Sequence, residues 1–210
     1  QLIHLRLEKR EMPKIHLNAI SGIMVAGSPF NSNEPIETKS PVQRRVEEEI
    51  SVLLDRLVPE DFPFLGACYG VGTLAKHQGG IIDSTYAEEE AEIPIHVTEA
   101  GREDPILHGV SDTFTAFVGH TEACRQLPAH ATLLATGDAC PVQMFRVGTR
   151  QYATQFHPEL DVPSIIARAR AYRDHGYFSP DEMEEVFAAL RDEVADQPPK
   201  LLRAFAELFA

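Results

Sequence analysis

Short apolar runs and helical apolar stripes alternate along this chain, separated by glycine, proline and acidic residues. Leu2-Ile3-His4-Leu5-Arg6-Leu7 partly alternates and predicts an exposed or edge strand. Gly22-Ile23-Met24-Val25-Ala26-Gly27 is continuously apolar, the pattern of a strand buried on both faces. A polar, proline-bearing loop follows from Ser28 to Lys39. Ser40-Pro41 then offers an N-cap and a proline at the first helical position. Val42, Val46, Ile50, Leu53, Leu54 and Leu57 recur at steps of three and four, so one face of that helix is apolar, and Pro59 stops it.

Phe62-Pro63-Phe64-Leu65 predicts a further strand, running at once into a glycine-bracketed turn and a helix to about His77, which Gly79-Gly80 terminates. This order predicts an α/β domain whose central sheet is mainly parallel, with helices on both faces. Residues 93–98, 113–118, 132–136, 142–147 and 151–156 are short strand candidates, some of them antiparallel additions. Beyond Pro158 the pattern turns helical. Ser179-Pro180-Asp181-Glu182 reads as a capping box with Val186, Phe187 and Leu190 behind it, and Leu201, Leu202, Phe205, Leu208 and Phe209 stripe a last helix. Such stripes pack on their own core more often than they meet a partner. The expected organisation is one domain over residues 1–210, with a catalytic part to about 161 and a helical extension over about 162–210.

Composition narrows the partners. The formal charge of −13, from 19 basic and 32 acidic residues, disfavours nucleic acid. The acidic runs Glu47–Glu49 and Glu88–Glu90 read as solvated faces or turns. No apolar run approaches the roughly 20 residues needed to cross a bilayer, so no membrane partner is expected. Cys68, Cys124 and Cys140 are too scattered for a disulfide framework or a zinc site, which suits a reducing, cytoplasmic setting. No metal or cofactor is expected.

The sharpest chemical signal is Gly66-Ala67-Cys68-Tyr69-Gly70, a cysteine form of the G-x-S-x-G elbow between a predicted strand and a predicted helix. The tight turn lifts Cys68 clear of the sheet, and the following helix aims its free N–H groups and partial positive charge at the sulfur. The N–H of Tyr69 is placed to bind an oxyanion. A cysteine nucleophile needs a base, and Gln155-Phe156-His157-Pro158-Glu159 ends an apolar strand. Residues i and i+2 of an extended segment share a side, so Glu159 can hold one imidazole nitrogen of His157 while the other faces the sulfur.

With these motifs the chain resembles the class I glutamine amidotransferase family, and within it stand-alone proteins similar to the amidotransferase domain of GMP synthase. The likeness runs roughly from Ile20 to Asp161. It implies a flavodoxin-like amidotransferase fold with extra C-terminal helices, and hydrolysis of the glutamine side-chain amide through a thioester on Cys68, with ammonia released to a possible synthetase partner. Ala26-Gly27-Ser28-Pro29 resembles the family's glycine-proline loop, implying a second oxyanion donor from Gly27–Ser28. Gly119-His120-Thr121-Glu122 resembles the stretch lining its glutamine pocket, which implies a binding role for His120. Three departures stand out: Gly72 where the family commonly has Gln, Ser28 within the loop, and Glu122 for an aspartate. The family's first strand is also missing, consistent with a segment ahead of Gln1. Gly72 could open the pocket to larger γ-glutamyl compounds, so a γ-glutamyl hydrolase or peptidase is the alternative enzyme. A catalytically idle regulatory subunit is the alternative from another class.

Overall fold

The computed structural model describes residues 1–171 and 196–210. Nine strands are assigned among them: β1 Ile23–Val25, β2 Phe64–Ala67, β3 Ile81–Asp83, β4 Glu88–Val97, β5 Thr113–His120, β6 Ala123–Gln126, β7 Thr132–Gly137, β8 Met144–Val147 and β9 Gln151–Thr154. The helices are α1 Pro41–Leu57, α2 Tyr69–His77, α3 Glu99–Glu103, α4 Val162–Ala171 and α5 Pro198–Phe209. Seven strands form one sheet in the order β1-β2-β9-β8-β7-β4-β5, and β3 pairs with β6 apart from it.

Parallel pairing is confined to β1-β2-β9, and the remaining ladders of the large sheet are antiparallel. The parallel part is therefore narrower than the opening strand–helix–strand pattern predicts. The chain crosses from β1 to β2 through α1, whereas β7, β8 and β9 follow one another by short connections, and short connections enforce antiparallel neighbours.

Alternation along the strands divides the core between the sheet's two faces. Phe64, Phe145 and Ala153 join a cluster with Val46, Ile50, Leu54 and Leu57 of α1 and Leu74 of α2. Leu65, Met144 and Tyr152 point the other way, into a cluster with Leu201 and Phe205 of α5. The last helix thus packs on its own sheet, as its stripe predicts. Helix α1 starts as its sequence dictates: the Ser40 hydroxyl accepts the Gln43 N–H at 3.1 Å with Pro41 behind it.

Several expectations are corrected. Residues 2–7 form no strand, and Leu2 and Ile3 are 70% and 69% exposed. The stretch from Leu7 onward is tied to α1 instead, because Arg45 donates to the Leu7 and Arg10 carbonyls and Arg56 to that of Ile15. β1 is not buried on both faces. It is an edge strand paired only with β2, which leaves Met24 45% exposed. Glu88–Glu90 is no solvated turn but the start of β4, with Glu90 buried. The capping box at 179–182, and Val186, Phe187 and Leu190, lie outside the described residues.

The approach to β9 is fixed from the α1–β2 loop. Asp61, at φ +45°, accepts the N–H groups of Thr149 and Arg150 at 3.1 and 3.2 Å, and also the Thr149 hydroxyl. Each such bond contributes on the order of 1 kcal/mol net. Asp61→Ala is expected to lower stability by about 1–3 kcal/mol in urea unfolding; a change within about 0.3 kcal/mol would show that this clasp holds nothing.

Candidate active site

β2 ends at Ala67 and α2 begins at Tyr69, so Cys68 alone makes the turn, at φ +51° and ψ −93°. A side chain rarely adopts this conformation, which costs on the order of 1–3 kcal/mol. The neighbouring glycines make the bend possible. A Cβ on Gly66 would meet the backbone of Gly70 at 2.8 Å, and one on Gly70 would approach the Val25 carbonyl at 3.2 Å. Cys68 is half-buried, whereas burial pushes the Cys124 thiol up to about 11 and that of Cys140 to about 12. The two buried thiols are accordingly poor nucleophiles near neutral pH.

Register does the assembly. On one side Val25 pairs with Gly66, which carries the chain two residues on to Gly27 beside Cys68. On the other, Ala67 pairs with Thr154 and the Cys68 N–H reaches the Thr154 carbonyl at 2.8 Å. That brings Gln155 and His157 to the nucleophile turn. His157 is buried, its N–H bonded to the Phe117 carbonyl at 2.9 Å, and its Nδ1 lies 2.7 Å from Glu159 Oε1. Gly27 is the wall behind the ring, since a Cβ there would sit 2.7 Å from His157 Cε1 and 3.6 Å from Cys68 Cβ.

Nε2 of His157 makes no hydrogen bond of regular geometry. The Cys68 sulfur is nonetheless near enough to act on it. Burial pulls the imidazole pKa down, but the interactions with Cys68 and Glu159 outweigh burial and raise it to about 9. A loose hydrogen bond of this kind tightens when substrate arrives.

A narrow recess opens beside the thiol, with room for little more than a water molecule. Ser28, Phe30, Cys68, Tyr69, Glu122 and Gln155 are among its lining residues. The N–H of Tyr69, at the first position of α2, has no acceptor within its own helix. His120 also lines the recess, but its nitrogens are engaged: Nδ1 with the Glu122 carbonyl at 3.1 Å and Nε2 with Glu88 at 2.9 Å. Glu122 ties down the loop opposite, accepting the N–H groups of Ser32 and Asn33 at 2.7 and 2.8 Å. The Ser32 carbonyl is held from its far side by Lys39 and Lys76, at 2.8 and 2.7 Å.

Gly72 does not widen this recess. A Cβ there would meet Ser32 Oγ at 2.7 Å and Glu122 Oε1 at 3.1 Å, so those two side chains already fill the space. One group among the described residues has metal-ligand character: Glu88, His120 and Cys140, their ligand atoms within 4.8 Å of one another. Hydrogen bonds engage all three, His120 with Glu88 and Cys140 with the Val142 carbonyl.

The sequence pattern assigns no role to Glu88, Ser32 or Gln155. Only Gln155 carries a usable signal, because it stands two residues before His157 on an extended segment and so shares its side.

The family model for class-I glutamine amidotransferases matches residues 3–163. The chain belongs to the class-I glutamine amidotransferase family. Among curated amidotransferase relatives, a glutamine-hydrolyzing GMP synthase of Finegoldia magna is 28% identical over 141 residues, covering 67% of this chain and 24% of that protein. A glutamine-hydrolyzing GMP synthase subunit of Thermoplasma acidophilum is 25% identical over 157 residues, 74% of this chain and 72% of the relative. The chain thus spans about a quarter of the Finegoldia enzyme and most of the separate Thermoplasma subunit. In fold, it is similar to a glutamine amidotransferase of Thermotoga maritima with a TM-score of 0.76 at 22% identity, covering 97% of this chain and 84% of the other. One from Methylobacillus flagellatus gives 0.74 at 17% identity, covering 96% and 81%. No helix among the described residues of this amidotransferase is long and apolar enough to cross a membrane.

The strain at the elbow can be measured directly. Cys68→Gly is expected to be more stable than Cys68→Ala by about 1 kcal/mol in urea unfolding, since only alanine retains a Cβ at positive φ. Equal stability would mean that the bend stores no strain.

Proposed function

We propose that this amidotransferase hydrolyses the side-chain amide of glutamine, with Cys68 as nucleophile, His157 as acid and base, and Glu159 orienting His157. The observation that carries the reading is the bend at Cys68 with a Glu159-bound His157 brought to it by the β2–β9 register. The Cys68 thiolate attacks the carboxamide carbon, and the resulting oxyanion is held by backbone N–H groups of Tyr69 and the Gly27–Ser28 loop. His157 gives its proton to the departing nitrogen, ammonia leaves, and a γ-glutamyl thioester remains on Cys68. Water then gives a proton to His157 and attacks the thioester, which releases glutamate and restores the thiolate–imidazolium pair. His120, already bonded through both nitrogens, serves the pocket by fixing Glu122 and Glu88.

Relatives that are GMP synthases or their subunits support a destination for the ammonia in an ATP-dependent synthetase acting with this chain. The γ-glutamyl hydrolase alternative loses its main support, because the space at Gly72 is filled. Incubation with glutamine and with γ-glutamyl dipeptides is expected to release ammonia and glutamate from glutamine. Release from dipeptides alone would favour the hydrolase, and no turnover even with a captured synthetase would favour an idle subunit.

Two further sets of outcomes are expected, one from substitutions and one from pH. Cys68→Ala should abolish labelling by a glutamine-like electrophile. His157→Ala should lower kcat by more than about 10³-fold and Glu159→Ala by about 10–10²-fold; equal losses would sink the division of roles. The second concerns pH. Because the folded His157 holds its proton up to about 9, kcat/KM should fall as pH rises through that value. Removing Glu159 takes away one raising influence, so the falling limb of Glu159→Ala should move to lower pH. A limb unmoved in pH would show that Glu159 does not support the imidazolium.

A further inference from the structure

We infer that Gln155 is a substrate-contacting specificity residue whose Oε1 accepts an N–H of the scissile carboxamide, favouring an amide over an ester; this rests on the glutamine-hydrolysis reading. The backbone places it. The pairing of Ala67 with Thr154, extended by the Cys68 N–H to the Thr154 carbonyl, makes Gln155 the residue beside the nucleophile across the β2–β9 ladder. Its own N–H is bound to the Gln143 carbonyl at 2.8 Å, which fixes the backbone from which the side chain reaches the recess.

Gln155 is 1% exposed, yet Oε1 has no hydrogen-bond partner. A buried acceptor left unmade costs free energy; Gln143 and Gln151 also carry buried amide oxygens without a partner, but of the three only Gln155 lines the recess beside Cys68. The other polar side chains of the recess are largely committed. Ser28 Oγ accepts from the Phe30 N–H, Thr121 donates to Asn31, Glu122 holds Ser32 and Asn33, and His120 is bonded on both nitrogens. Tyr69 also keeps a buried hydroxyl without a partner, but a hydroxyl both donates and accepts, whereas a carbonyl oxygen can only accept.

An acceptor-only group beside the sulfur calls for a ligand that brings N–H. Bond formation at the carbonyl carbon turns the planar amide nitrogen into an amine with a lone pair. That lone pair must point at the proton on His157 while an N–H points elsewhere. Gln155 lines the recess beside Cys68 and His157 interacts with Cys68 from the same stretch just past β9, so one can take the N–H while the other serves the lone pair. An amide nitrogen keeps an N–H for Gln155 while its lone pair faces His157, whereas the leaving oxygen of an ester has none. A site built to hydrogen-bond an N–H discriminates against analogues that lack it.

The test compares glutamine with glutamate γ-methyl ester, which forms the same thioester without any N–H on the leaving group. In Gln155→Met, which keeps length and apolar bulk but removes the acceptor, the ratio of kcat/KM for glutamine to that for the ester is expected to fall about 10–100-fold. An unchanged ratio, whether both rates hold or both fall together, would overturn the inference and leave glutamine hydrolysis standing. Failure of the unaltered protein to hydrolyse either substrate, even with a captured synthetase present, would overturn the functional reading itself. Gln155→Thr repeats the comparison if the methionine variant does not fold.

Discussion

The parallel ladder between β2 and β9 is the constraint on which the rest depends. Its register sets Thr154 against Ala67 and delivers the 2.8 Å bond from the Cys68 N–H to the Thr154 carbonyl. Because side chains alternate along a strand, a slip of one residue would turn Gln155 and His157 away from the thiol and reverse the two core clusters at once. Phe64 and Ala153 face one cluster while Leu65 and Tyr152 face the other, so the apolar core enforces the same register that assembles the polar site. Packing and chemistry are therefore not separable on these two strands.

Close approach does the remaining work, and glycine permits it. Gly27, Gly66 and Gly70 each occupy a place where one more carbon would meet backbone or the His157 ring at 2.7–3.2 Å. The strained conformation of Cys68 persists because β2 before it and α2 after it are both firmly packed. At Gly72 the same logic gives an opposite lesson. A missing side chain does not mean empty space when Ser32 and Glu122 occupy it.

These observations explain what could be read in advance. The elbow and the His157-Pro158-Glu159 segment were legible because each depends on local geometry: a bend needs glycines beside it, and extended residues two apart share a side. Helix α1 was legible for the same reason, through Ser40, Pro41 and its apolar stripe. What escaped depended on partners distant in the chain. Residues 2–7 alternate like a strand but are tied at Leu7 to Arg45 of α1 rather than to a neighbouring ladder. β1 is as apolar as a central strand yet lies at the edge, where only the pairing order could reveal it. Glu88 looks solvated in sequence and is drawn inward by His120 and Gln143, 32 and 55 residues away.

The loop over the recess carries one more implication. The peptide of Ser32 is gripped from opposite directions, its N–H by Glu122 and its carbonyl by two ammonium groups, one of them from α2 itself. That roof is tied through Lys76 to the helix rising from Cys68. A molecule entering or leaving by lifting the roof would first have to break three charge-assisted contacts. Traffic through this site should therefore run slower than diffusion into an open cleft, at a tempo set by lysine and glutamate rather than by the size of the doorway.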